Sequence, residues 1–266
     1  MSGIIGEGRH MLTRFFEAIG RFVIRRFEEF GTMVLLYVDT LKQLRHMPRM
    51  RHVLDQMSRL GVDSLLIVSL TLLFTGVVLT LQTANELIKY GAQSTVGAII
   101  TIGIGRELGP VLVGVVCAGR VGSAITAEIA TMKVTEQIDA LRVMAVSPTD
   151  YLIIPRMLAC MIVVPILTVF GDVIGVLGGY ITAVYYSGIS SFTFMHSIHT
   201  FVDLYDLTGG MIKAIFFGNV IAVLGCYYGL HCPDGAAGVG RATTQTVVTS
   251  IIVIFILNAL LTFLIY

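Results

Sequence analysis

Two adjacent charges of opposite sign, Arg106 and Glu107, stand in the middle of an apolar stretch running from about 95 to 127. An ionisable group at bilayer depth costs several kcal/mol unless it is paired or wet, so each such residue in an apolar run marks a site. Successive residues on a helix point about 100° apart, so these two reach different partners. Lys213 and Asp172, each set in its own apolar stretch, are the candidates. One such residue alone describes a packing salt bridge, whereas the group describes a polar island able to hold a charged headgroup within a membrane. His196 and His199, at i and i+3, have metal-ligand chemistry, but with no third ligand nearby they read as the polar face of an interfacial helix and no metal is expected.

The elements that must position this island are membrane spans. The chain has 266 residues, 55% apolar and 13% charged, with a mean hydropathy of +0.85, outside the range of ordinary soluble domains. A net charge of +1 gives no basic field for nucleic acid. Cys117, Cys160, Cys226 and Cys232 lack CxxC spacing and read as small packing residues rather than a disulfide framework or a zinc site. Five spans are predicted near 64–88, 95–127, 157–186, 209–230 and 247–266, each near or above the roughly 20 residues that cross about 30 Å of hydrocarbon. Lys and Arg gather before the first span and in the segments between spans two and three and between four and five, which places the N-terminus in the cytoplasm and the C-terminus outside.

Residues 1–60 read as an N-terminal cytoplasmic and interfacial segment, and 61–266 as the membrane domain. Over 12–30, Phe15, Ile19, Phe22, Phe27 and Phe30 recur at helical spacing against Arg14, Arg21 and Arg25, the pattern of an amphipathic helix lying in the headgroup region. Arg9, Arg14, Arg21, Arg25 and Arg26 interrupt any uninterrupted apolar core of a cleaved signal. Residues 192–204 read as a second, short amphipathic helix on the outer face between spans three and four. On the cytoplasmic side, Thr135 to Val146 reads as a helix capped at Thr135, with acids in its first turn and Pro148 beyond its end. Ile138, Leu141 and Met144 would give it an apolar side for a groove on a cytosolic partner. Gly105 and Gly109, and Gly171, Gly175 and Gly179 at four-residue steps, suit close helix contact, and Pro110 and Pro165 suit kinks.

No G-x4-G-K-[ST] sequence occurs, so an energy-coupled transporter built on this chain would take its ATP and magnesium from a partner; the chain itself carries no cofactor and is no ATPase. Neither H-E-x-x-H nor G-x-S-x-G is present for hydrolysis. The rival reading is an ion-coupled secondary transporter in which Glu107 and Asp172 carry protons.

Arg106-Glu107-Leu108-Gly109-Pro110, Ala118-Gly119-Arg120-Val121-Gly122-Ser123-Ala124, Thr126-Ala127-Glu128-Ile129, Thr135-Glu136-Gln137-Ile138, Ala145-Val146-Ser147-Pro148 and Gly238-Val239-Gly240-Arg241-Ala242-Thr243-Thr244 together carry a resemblance to the MlaE permease family, running from about residue 50 to the end. The resemblance implies an all-α homodimeric permease of a bacterial inner-membrane ABC transporter that moves phospholipids between inner and outer membranes. Its partners would be cytosolic ATPase subunits, a periplasmic MCE-domain protein and, in some systems, a STAS-domain protein. By the same resemblance the lipid pocket lies at the dimer interface, with Arg106, Glu107 and Lys213 in its polar cluster and Leu81 and Gln82 near its wall. Asn258 stands where well-known relatives carry an acid, which alters the charge of that cluster. The segment around Glu128, Thr135, Glu136, Ile138, Asp139, Leu141 and Arg142 would be the coupling helix that meets the ATPase.

Overall fold

The computed structural model describes residues 20, 24, 28, 31–40, 42 and 50–266, and most of the expected interfacial helix over 12–30 lies outside them. Chain contacts divide the protein at Arg45 and His46. In the first part residues 31–40 are helical. In the second, α1 (Met50–Lys89) runs unbroken across residue 60. Among the described residues five helices are long and apolar enough to span a membrane: Met50–Lys89, Gln93–Val134, Thr149–Tyr185, Leu204–Leu230 and Ala236–Ile265.

Span two is composite: α2 (Val96–Gly103), a π turn at Ile104–Leu108, α3 (Gly109–Cys117), a second π turn at Ala118–Gly122, and α4 (Ser123–Val134). After α5 (Gln137–Val143) and a π turn at Thr149–Ile153 come α6 (Ile154–Tyr185), the short α7 (Ser191–Phe201), α8 (Leu204–Leu230) and α9 (Ala236–Ile265). The 42 residues of span two, at 1.5 Å each, cover about 60 Å, twice the hydrocarbon thickness. The first three spans therefore stand well beyond the bilayer. Hydropathy located only the most apolar part of each helix, which is why spans one, three, four and five are predicted to begin late, at 64, 157, 209 and 247. Amphipathic ends such as 50–63 lower the local hydropathy without breaking the helix.

Buried positions on α1 fall on one line: Ser64, Val68, Leu72, Gly76, Thr80 and Ala84. Residues four apart on a helix form a ridge, and this one packs against the glycine face of α6. At the crossing the backbones touch, since a Cβ added to Gly76 would stand 1.9 Å from the Gly175 carbonyl oxygen, and one on Gly178 2.7 Å from the Leu73 carbonyl oxygen. Dispersion between touching backbones, not burial from water, drives such contact in lipid. α8 is the buried centre of the bundle, with Gly210 against the Gly105 carbonyl and Gly218 against that of Cys160. α9 buries a single line, Gly238, Ala242, Thr246, Ser250 and Ile254, and ties to α4 through the Thr126 and Thr246 hydroxyls, 2.7 Å apart.

Gly76→Leu is expected to force α1 and α6 apart and abolish recovery of folded protein in detergent. Gly103→Ala, whose added Cβ finds its nearest neighbour 3.9 Å away, leaves yield and melting temperature unchanged. Size-exclusion and thermal-melt profiles of the two variants check this.

Candidate functional site

The polar island assembles around Pro110. Proline has no N–H, so the carbonyl four residues back, that of Arg106, loses its regular α-helical donor. Lys213 fills the vacancy from α8: its Nζ donates to the Arg106 carbonyl at 2.9 Å, to Glu107 Oε1 at 2.7 Å and to Thr262 Oγ1 at 2.8 Å. Lys213 is 0% exposed, and all three of its N–H bonds are used. The other carboxylate oxygen of Glu107 accepts from Asn258 Nδ2 at 3.0 Å, and Thr262 Oγ1 stands 3.0 Å from Oε1 and 2.8 Å from the Asn258 carbonyl. Asn258 thus supplies a donor where an acid would have added a second negative charge.

Arg106 goes elsewhere. A helical side chain leans toward its helix N-terminus, here toward the end of the bundle where α8 begins. There Arg106 Nε donates to Asp206 Oδ1 at 2.7 Å, so its partner is Asp206 and not Asp172. Asp206 is held in turn by a capping box: its Oδ2 accepts from the Asp203 N–H at 3.1 Å while the Asp203 side chain caps α8. The Tyr266 ring lies under the guanidinium at 4.5 Å, and the Tyr266 hydroxyl donates to the Asp206 carbonyl at 3.1 Å. Asp172 lies one turn deeper, beside Gly109, with no hydrogen-bond or ion-pair partner among the described residues.

The two cations therefore differ in what they can still do. Lys213 is spent on internal contacts, while the Arg106 side chain is 36% exposed and keeps guanidinium N–H groups that Asp206 does not occupy. Arg106, Glu107, Lys213 and Asn258 come together as the sequence suggested. Leu81 and Gln82 stand outside the hydrogen-bonded cluster; Gln82 is exposed in a shallow hollow shared with Phe74, Val78 and Leu108. Asp206, Thr262 and Tyr266 were not singled out. Their signal is the four-residue step Ser250, Ile254, Asn258, Thr262, Tyr266 and the Asp203-x-x-Asp206 cap.

At the opposite end of span two, α5 departs from the expected helix. Glu136, not Thr135, is its N-cap, in a left-handed conformation with φ 59°, and the Thr135 hydroxyl instead donates back to the Thr131 carbonyl at 2.8 Å, closing α4. A second left-handed residue, Ala145 with φ 57°, ends the segment, so a strained backbone position stands at each end of seven helical residues. Ile138 is buried and Leu141 half-buried, anchoring the helix, and the apolar surface on offer is Val143, 88% exposed, and Met144, 63%. Asp139 pairs with Arg142 at 3.0 Å on its outer side. Glu128, still exposed, pairs with the buried Arg156 of α6 at 2.9 Å. Among the described residues no three His, Cys, Asp or Glu side chains gather as a metal site, and His196 stacks on Phe192 at 5.5 Å.

A bundle of five candidate spans around a compensated ion cluster, with one guanidinium left partly open, is the arrangement of a polytopic membrane protein with a polar site at depth. A family model for Permease MlaE matches residues 53–264. The chain belongs to that family. It is 38% identical over 257 residues to a probable ABC transporter permease protein of Rickettsia typhi, covering 96% of this chain and 99% of that protein. It is 44% identical over 216 residues to a probable ABC transporter permease protein of Synechocystis, covering 81% and 82%. It is 38% identical over 257 residues to the intermembrane phospholipid transport system permease protein MlaE of Haemophilus influenzae, covering 95% and 97%.

Lys213→Met strands Glu107 without its cation, and breaking such a pair costs about 3 kcal/mol. It is expected to lower the melting temperature sharply, and Glu107→Gln combined with Lys213→Met is expected to recover most of the loss. Single and double variants measured side by side decide whether the pair is held by mutual compensation.

Proposed function

We propose that this chain is the membrane subunit of an ABC transporter that moves phospholipids between the inner and outer membranes of a bacterium. It works as a homodimer with lipid bound at the interface and takes its energy from ATP and magnesium on separate cytosolic ATPase subunits. The observation that carries the reading is Arg106: a partly open guanidinium, backed by Asp206 and Tyr266, beside a cluster otherwise closed by its own bonds. Such a group suits a phosphate, which takes paired N–H donors from arginine. The relative from Haemophilus influenzae, named for intermembrane phospholipid transport, supplies the cargo.

The ATPase would meet α5 through Val143 and Met144, with Glu136, Asp139 and Arg142 around them. Its buried Ile138 and its short connections to α4 and α6 would carry a push from the ATPase into those helices. The opposite end exposes Tyr185, Tyr186, Phe192 and Phe201 and carries no Lys or Arg over 187–207, which suits the outer side of the inner membrane and contact with a periplasmic MCE-domain protein. A STAS-domain protein on the ATPase rests on the family resemblance alone.

In proteoliposomes holding the whole complex, Arg106→Ala is expected to slow ATP-dependent transfer of fluorescent phospholipid about tenfold while leaving assembly intact, and Arg106→Lys to recover part of the rate. Transfer that continues without the ATPase and follows a proton gradient would establish the ion-coupled reading instead.

Val143→Asp with Met144→Asp is expected to leave the isolated permease folded and to weaken ATPase capture at least about tenfold. Unchanged pull-down of the ATPase subunit would remove that role from α5.

A further inference from the structure

A cavity of about 670 Å³ lies between α6, α7 and the first turns of α8, apart from the Glu107 and Lys213 cluster. Its volume is that of a small-ligand site. Val169 and Val173, 41% and 55% exposed, form a wall that is open at the outer surface of the bundle, so the cavity is reached from the hydrocarbon. Almost all of its lining is apolar. The hydroxyls in it are already engaged: Thr101 donates to the Gly97 carbonyl at 2.8 Å, Thr208 to that of Tyr205 at 3.1 Å, and Tyr180 bonds Ser191 Oγ at 2.8 Å.

Asp172 is the exception. It lines the same cavity, is 9% exposed, and has no hydrogen-bond or ion-pair partner among the described residues. Its Oδ1 is sealed against Gly109, where an added Cβ would stand 1.7 Å away, which leaves Oδ2 as the oxygen a ligand can reach. A carboxyl without partners in an apolar site is costly, and a ligand that brings a donor removes the cost. The donor count selects the ligand. An ammonium would bring three N–H groups to one reachable oxygen and leave two unsatisfied. A hydroxyl brings one, and on the single reachable oxygen it serves as donor to the carboxylate or as acceptor from the acid.

We infer that this cavity is a second lipid site, for a neutral amphiphile with a single free hydroxyl on a long apolar body, the chemistry of a diacylglycerol, with that hydroxyl on Asp172. It goes beyond the transport reading and does not rest on it, because nothing in it involves Arg106 or the ATPase.

The test uses the full chain in phosphatidylcholine nanodiscs and a diacylglycerol with a photoactivatable diazirine in one acyl chain. Saturable labelling of α6 and α7 peptides is expected. A matched probe with the hydroxyl methylated, and one with an amine in its place, should label at least about tenfold less, as expected for a buried polar group left unpaired. Val176→Phe, which fills the cavity, and Asp172→Leu should both lose the signal. Equal labelling by the methyl ether would show that any acyl chain enters, and stronger labelling by the amine would show a cation site; either overturns the proposal. Should Asp172→Leu fail to fold, the comparison of probes on the unmodified chain decides by itself.

Discussion

The ammonium of Lys213 has to find three acceptors with no water in reach, and much of the bundle is arranged around that demand. One acceptor is the Arg106 carbonyl, whose regular helical donor Pro110 removes, one is the Glu107 carboxylate on the same turn, and one is Thr262 on α9. Three spans thus converge on a single nitrogen. The approach is possible because Gly210 lets α8 lie against the Gly105 carbonyl; a side chain there would hold Lys213 away from all three partners. In a low-dielectric interior such a network is strong when complete and costly when one member is missing, so the helices it joins are fixed in register as well as in position.

Closing one cation completely leaves the other free for outside work. Arg106 is braced from behind by Asp206 and from below by the Tyr266 ring, and neither contact uses all of its donors. The brace itself is anchored in the capping box of α8, so the orientation of the guanidinium is tied to the start of a helix whose buried middle carries Lys213. The two charges therefore share one rigid platform despite pointing apart. At the other end of span two, the left-handed residues Glu136 and Ala145 bracket α5 with backbone strain held by the surrounding turns.

Much of this was written in the residues. Apolar runs gave the spans, and an Arg-Glu pair at bilayer depth gave the site. What hydropathy could not give was the length of helix beyond the lipid, because a helix in water keeps its hydrogen bonds while losing its apolar signal. Asp206 was missed as the partner of Arg106 because the direction a side chain leans depends on which way its helix runs through the bundle, a tertiary fact. Thr262 was legible in principle: it falls four residues after Asn258 on the buried line of α9. The cap of α5 differs because the Thr135 hydroxyl can accept from an N–H ahead of it or donate to a carbonyl behind it, and the carbonyl, on Thr131, won.

The π turns of span two carry a further consequence. Each holds one residue more than a regular helical turn, so the faces of α2, α3 and α4 are offset from one another by about 100° at each join. Losing one residue at Ile104–Leu108 would relax that turn into ordinary helix and swing everything before it round by that angle, while a loss within α3 would put Arg106 and Glu107 out of phase with α4 instead. The span behaves as three cylinders keyed to one another, and its tolerance of insertions and deletions is set by the keys.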